Sequence, residues 1–204
     1  MEFVRKRRRE VTPLDYGECR DSIKNGDIVL FRGRSWISRA IRWMTNSPYS
    51  HAGVVAWWDD RVLVLEAVGK GIVATRLSHV VHHYDGQCEL WSTDGELART
   101  EVIRAAQLLL GRSYSSSKVL ALLRRLVLRS RARAVDPVIA PDAFVCSEFV
   151  SRVWRAGGID LKADVADRFT LPVHIARSPS VRKVGDLFRP GARELAAETA
   201  VPPS

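Results

Sequence analysis

The stretch from His51 to Arg76 limits what this chain can fold into more than any other part of it. His51–Trp58 reads HAGVVAWW, Arg61–Ala67 reads RVLVLEA and Gly71–Arg76 reads GIVATR, separated by Asp59-Asp60 and by residues 68–70. Short runs rich in β-branched and aromatic residues, joined by polar turns, are a hairpin signal, because such side chains pack well on a pleated surface. Asp27–Arg32, after Asn25-Gly26, and Glu89–Ser92 add two further short strands.

The second half changes period. Leu97, Val102, Ala105, Ala106, Leu109 and Leu110 form a helical stripe within Glu96–Leu110, ended by Gly111. A second helix is expected from Lys118 to about Arg133. A third is expected from Phe144 or Val145 to Ala156, with Gly157-Gly158 as its stop signal. Strands followed by helices predict an α+β fold rather than a doubly wound parallel sheet. The 204 residues, 46% hydrophobic and 27% charged, suit one globular domain and exclude a mainly disordered, collagenous or disulfide-scaffold chain. That domain is expected over 13–189, between a basic tail at 1–12 and a second tail at 190–204.

The net charge of +9 is unevenly placed. Residues 1–10 hold +3 and residues 112–133 hold +7 with no acid, which leaves the remainder at −1. The body is therefore nearly neutral. Within Lys118–Arg129 (KVLALLRRLVLR) the apolar residues cover one side of a helix, while Lys118, Arg124, Arg125 and Arg129 cluster on the other. This basic amphipathic insertion, near 116–133, can contact an anionic membrane or pack its apolar face on the domain. No zinc-finger spacing or RNA-binding aromatic motif accompanies the charge, so no specific nucleic acid is expected. Trp43, Trp57, Trp58, Trp91 and Trp154 fall in or beside apolar runs and are expected in the core.

No signal peptide or membrane-spanning run is visible, so a cytoplasmic protein with peripheral membrane contact is the expectation. Cys19, Cys88 and Cys146 are odd in number and widely spaced, which argues against a disulfide framework. His79, His82 and His83 near Cys88 lack a second ligand pair, so no metal is expected. Neither a Walker loop nor GxGxxG is present, and no cofactor is expected.

Cys146 stands at the start of the third helix, where exposed N–H groups favour thiolate over thiol. A cysteine nucleophile needs a base, and His51 at the mouth of a strand is the best candidate, with Ala52-Gly53 leaving room beside it. Glu66 is the lone acid within VLVLEAV, on the strand expected to pair with that of His51. A carboxylate inside an apolar strand is costly without a partner, which makes it a candidate to orient the imidazole.

In their order along the chain, SHAGVV around His51, the Glu66-Ala67 pair, GRSY ending at Tyr114 and FVCSEFV around Cys146 resemble the circularly permuted papain-fold cysteine hydrolases, in the YiiX-like branch related to NlpC-type cell-wall peptidases. The resemblance covers about residues 25–188, including TLPVHIARSP and KVGDLF. It implies a permuted papain-like fold, an antiparallel sheet or half-barrel packed against a few helices, in which Cys146 at a helix N-terminus is the nucleophile, His51 the base and Glu66 the orienting group. It also implies a contribution of the Cys146 N–H to an oxyanion hole and support from Tyr114, with Tyr49 a rival for that role. The implied substrate is a small peptide or another amide, including a lipid-linked one, cleaved through an acyl-thioester. VCSEFV is also similar to the cysteine box of lecithin:retinol acyltransferase-like proteins, which implies a thiol acyltransferase or lipid hydrolase as the alternative. Those proteins usually supply a histidine where this chain has Glu66. A non-catalytic membrane or nucleic-acid binding module on the same scaffold is the third reading.

Overall fold

The computed structural model describes residues 13–69, 71–112, 146–163, 166–167 and 170–188. Tyr114, Arg124, Arg125 and Arg129, the basic segment around them and both tails lie outside the described residues.

Among the described residues, seven strands form one sheet: β1 (Pro13–Asp15), β2 (Ile28–Gly33), β3 (His51–Trp58), β4 (Arg61–Val68), β5 (Gly71–Arg76), β6 (Gly86–Ser92) and β7 (Arg182–Phe188). Their spatial order is β1-β7-β6-β2-β3-β4-β5. Only β1 and β7 run parallel; every other neighbouring pair is antiparallel. The hairpin read at His51–Ala67 is present, with Trp58 opposite Arg61 and Asp59 taking the left-handed conformation (φ 53°) that the two-residue turn demands. Aspartate adopts that conformation more readily than most residues with a Cβ.

Among the described residues, six α-helices join or cover the strands: α1 (Tyr16–Cys19), α2 (Trp36–Met44), α3 (Leu77–His83), α4 (Arg99–Leu109), α5 (Cys146–Ala156) and α6 (Pro172–Arg177). They explain why β3 is apolar almost throughout instead of alternating. On one face Ala52, Val54, Leu65 and Ala67 pack under Val102 and Ala106 of α4 and Phe149, Val150, Val153 and Trp154 of α5. On the other, Val29, Phe31, Val55 and Val64 pack under Tyr16 and Cys19 of α1 and Leu77 and Val80 of α3. A strand covered on both faces has no solvent side to mark with polar residues. The architecture is α+β, and no helix among the described residues is long and apolar enough to cross a membrane.

The tryptophans divide. Trp154 and Trp91 are buried, and Trp57 is half-buried with its indole N–H donating to the Ile23 carbonyl at 2.8 Å. Trp43 and Trp58, expected in the core, are 81% and 50% exposed. Trp58 closes β3 at the hairpin turn, beyond the reach of the covering helices. Trp43 lies on α2, whose apolar face is turned to solvent; Ser38, on the opposite side of that helix, sits against Gly33 with no room for a Cβ between them.

Candidate active site

Gly53 of β3 stands opposite Glu66 of β4, so His51, two residues earlier on the same face, is the diagonal neighbour of that carboxylate. Gly53 has no side chain to intervene; a Cβ there would meet Val64 Cγ2 at 2.6 Å and the Leu65 carbonyl at 3.0 Å. The carboxylate reaches across, and His51 Nε2 lies 2.8 Å from Glu66 Oε2. Phe31, opposite His51 on β2, tilts against the imidazole at 5.2 Å between ring centroids. Both polar side chains are largely withdrawn from water, at 20% exposure for His51 and 13% for Glu66.

Cys146 is the first residue of α5 and is 9% exposed. The helix is fixed along its length. Trp154 donates its indole N–H to the Gly26 carbonyl at 2.9 Å, just before β2, and Ser151 donates to Asp167 at 2.7 Å. At the N-terminal turn, Ser147 donates its hydroxyl to the Thr170 carbonyl. These anchors hold Cys146 at the rim of the sheet where β3 begins, and there its thiol is hydrogen-bonded to the His51 ring. With Nε2 engaged by Glu66, Nδ1 is the ring nitrogen left for the sulfur.

The electrostatics follow from this arrangement. Burial pushes the Cys146 thiol up, but the charge of His51, its hydrogen bond, and backbone N–H groups of Ala52 and Ser147 outweigh burial and hold the thiol below its ordinary value of 9.0. Burial likewise pushes His51 down, but the Cys146 thiolate and then Glu66 outweigh it and raise the imidazole to about 10. The pair is thus biased to thiolate and imidazolium. The other cysteines behave oppositely: burial pushes Cys88 up to about 12 and also raises Cys19. All three thiols are free.

Cys146, His51 and Glu66 face a cleft of about 530 Å³, a volume suited to a small ligand or a peptide segment. Ser38, Ile41 and Thr45 of α2 form one wall, and His79 and His83 of α3 with Tyr84 form another. Leu171 and Pro172 approach from the α6 side. Tyr49 is not among the lining residues; it is buried, and its hydroxyl donates to the fully buried Glu89 at 2.7 Å. Tyr84, which the sequence did not single out, is the tyrosine that lines the cleft among the described residues. Its hydroxyl is hydrogen-bonded to Ser50, and burial pushes it up to about 12. Only its place after the polar HVVHH segment could have marked it.

The histidines of that segment form a ring cluster, with His79 and His83 stacked at 4.2 Å and His82 edge-on to His83 at 4.6 Å. Among the described residues, no group of three or more His, Cys, Asp or Glu side chains is arranged to hold a metal ion.

Neither the family models nor the curated proteins contain a match to this chain. Among solved structures it is similar to the crystal structure of the metalloprotein YiiX from Escherichia coli O157:H7, at 20% sequence identity and a TM-score of 0.61, over 81% of this chain and 98% of that one. The chain thus shares the fold of YiiX.

Proposed function

We propose that this chain is a cysteine hydrolase of the permuted papain-like kind, cleaving an amide through an acyl-thioester on Cys146. The observation that carries this reading is the file of Cys146, His51 and Glu66, with the thiol depressed and the imidazole raised at one end of a cleft.

In the reaction, the Cys146 thiolate attacks the carbonyl carbon, and the oxyanion that forms is met by the Cys146 backbone N–H. The tetrahedral adduct collapses as the C–N bond breaks, and the leaving amine takes the proton held by His51. A water molecule then attacks the thioester carbonyl, giving its proton to His51. The acid is released, and the proton remains on the imidazole beside the restored thiolate. Glu66 keeps the ring oriented and favours its charged form in both halves.

Glu66 as the third member favours hydrolysis over the acyltransferase-like alternative. The test is incubation of the protein with a panel of amide and ester acyl donors, followed by peptide mass analysis. An acyl adduct on Cys146 that turns over in water, and is absent from His51→Ala, is the expected result. An adduct that is stable to water but passes to an added amine or alcohol would replace hydrolysis by acyl transfer.

A further inference from the structure

The proposed chemistry leaves the outer face of α2 unused. Trp36 and Trp43 are 78% and 81% exposed and Ile37 is 53% exposed. Trp36 and Trp43, seven residues apart, share one helix face, with Ala40 between them and Ile37 beside it. Ser38, Ile41 and Thr45 occupy the opposite side and form a wall of the cleft. α2 is therefore a partition, with the cleft within and an apolar surface without, roughly one helix diameter (~10 Å) apart. Ile37 and Ile41, one turn apart, carry an apolar strip from the outside inward.

The segment that carries this face has charge of a single sign, with one exposed acid, Asp85, beside it, whose backbone carbonyl accepts from the Arg34 N–H at 3.0 Å. Residues 28–58 contain four arginines and no aspartate or glutamate. Arg34 and Arg39 are exposed beside the tryptophans, and among the described residues neither forms an ion pair. Two indoles at the ends of an apolar helix face, flanked by unpaired guanidinium groups, match the two layers of an anionic bilayer surface. Tryptophan settles at the boundary of headgroup and acyl chain, and arginine meets the lipid phosphates.

We infer that α2 docks this protein on an anionic bilayer, with Trp36, Ile37 and Trp43 entering the interface and Arg34 and Arg39 meeting the headgroups. The docked cleft stands at the membrane surface and receives an acyl amide or ester carried by a lipid, a consequence for the substrate that rests on the cysteine chemistry proposed above. The docking itself does not.

The test uses the full chain carrying Cys146→Ala, so that binding is read without turnover. Co-sedimentation is measured with phosphatidylcholine vesicles, with and without phosphatidylglycerol. Binding to the anionic vesicles, lowered about tenfold or more by W36A/W43A and about fivefold for each arginine changed in R34Q/R39Q, is expected. Unchanged binding by W36A/W43A alongside its loss in R124E/R125E would overturn the inference in favour of the basic segment. A change in oligomeric state of W36A/W43A by light scattering, without an effect on vesicle binding, would overturn it in favour of contact between copies of the chain. Vesicle binding that persists while wild-type protein fails on every acyl donor would sink the hydrolase reading and leave the docking standing.

Discussion

His51 and Glu66 are joined at 2.8 Å across neighbouring strands, and they meet because the residue opposite Glu66 is a glycine. The register of one hairpin thus orients the imidazole, and a separate helix brings the thiol to the same ring. The site is a joint between two packed units, so changes that shift either unit should act on the chemistry without touching the reacting atoms.

Replacing Glu66 with glutamine keeps the size of the side chain and removes its charge. Glu66 helps to raise His51, so its neutral replacement lowers the imidazole from about 10. In the proposed reaction the imidazolium is the active form, so the alkaline limb of kcat/KM should move to lower pH. A fall in kcat/KM of roughly a hundredfold is expected from the loss of general acid–base efficiency. A pH–rate profile on an acyl donor checks both effects.

Cys146→Ala removes the largest influence raising His51, while the burial that lowers it remains. The imidazole of this variant should titrate below 10, as followed by NMR of the ring protons. Turnover should be absent, and the thermal midpoint should lie close to that of the wild type.

Gly53→Ala would place a Cβ against Val64 Cγ2 and the Leu65 carbonyl, at 2.6 and 3.0 Å. The backbone carbonyl yields least, so the strands must part, at a cost of about 1–3 kcal/mol. Denaturant unfolding measures the loss. Because the same shift separates His51 from Glu66, the alkylation rate of Cys146 should fall as well.

Trp154 is fully buried and ties α5 to the carbonyl before β2. Trp154→Ala should destabilise the fold by about 3–5 kcal/mol through the cavity and the orphaned carbonyl. Trp154→Phe, which keeps most of the volume and loses the N–H, should cost about 1–2 kcal/mol. Parallel chemical denaturation of the two variants separates packing from hydrogen bonding.

What the sequence made legible was governed by local pattern. The β3–β4–β5 run, α4 and α5 were readable because most of their apolar residues face a core. α2 was missed because its apolar face points outward, and α3 because LSHVVHH is short and ends in histidines. β7 carries Lys183 and Asp186, paired at 2.7 Å, within a strand whose position depends on pairing with the distant β6 and β1. At the site, Cys146, His51 and Glu66 were each marked by an oddity of placement. Tyr84 and the cleft walls were not, because only the tertiary fold brings α2, α3 and α6 around the thiol.

The most direct test of the account is the pH dependence of alkylation at each cysteine, read by peptide mass analysis after limited iodoacetamide treatment. The account predicts fast labelling of Cys146 at neutral pH, with a thiolate titration below 9.0, little labelling of Cys19 and Cys88, and loss of the Cys146 preference in His51→Ala. Equal labelling of all three cysteines, or a Cys146 titration at or above 9.0 that His51→Ala leaves unchanged, would contradict the thiolate–imidazolium pair on which the account rests.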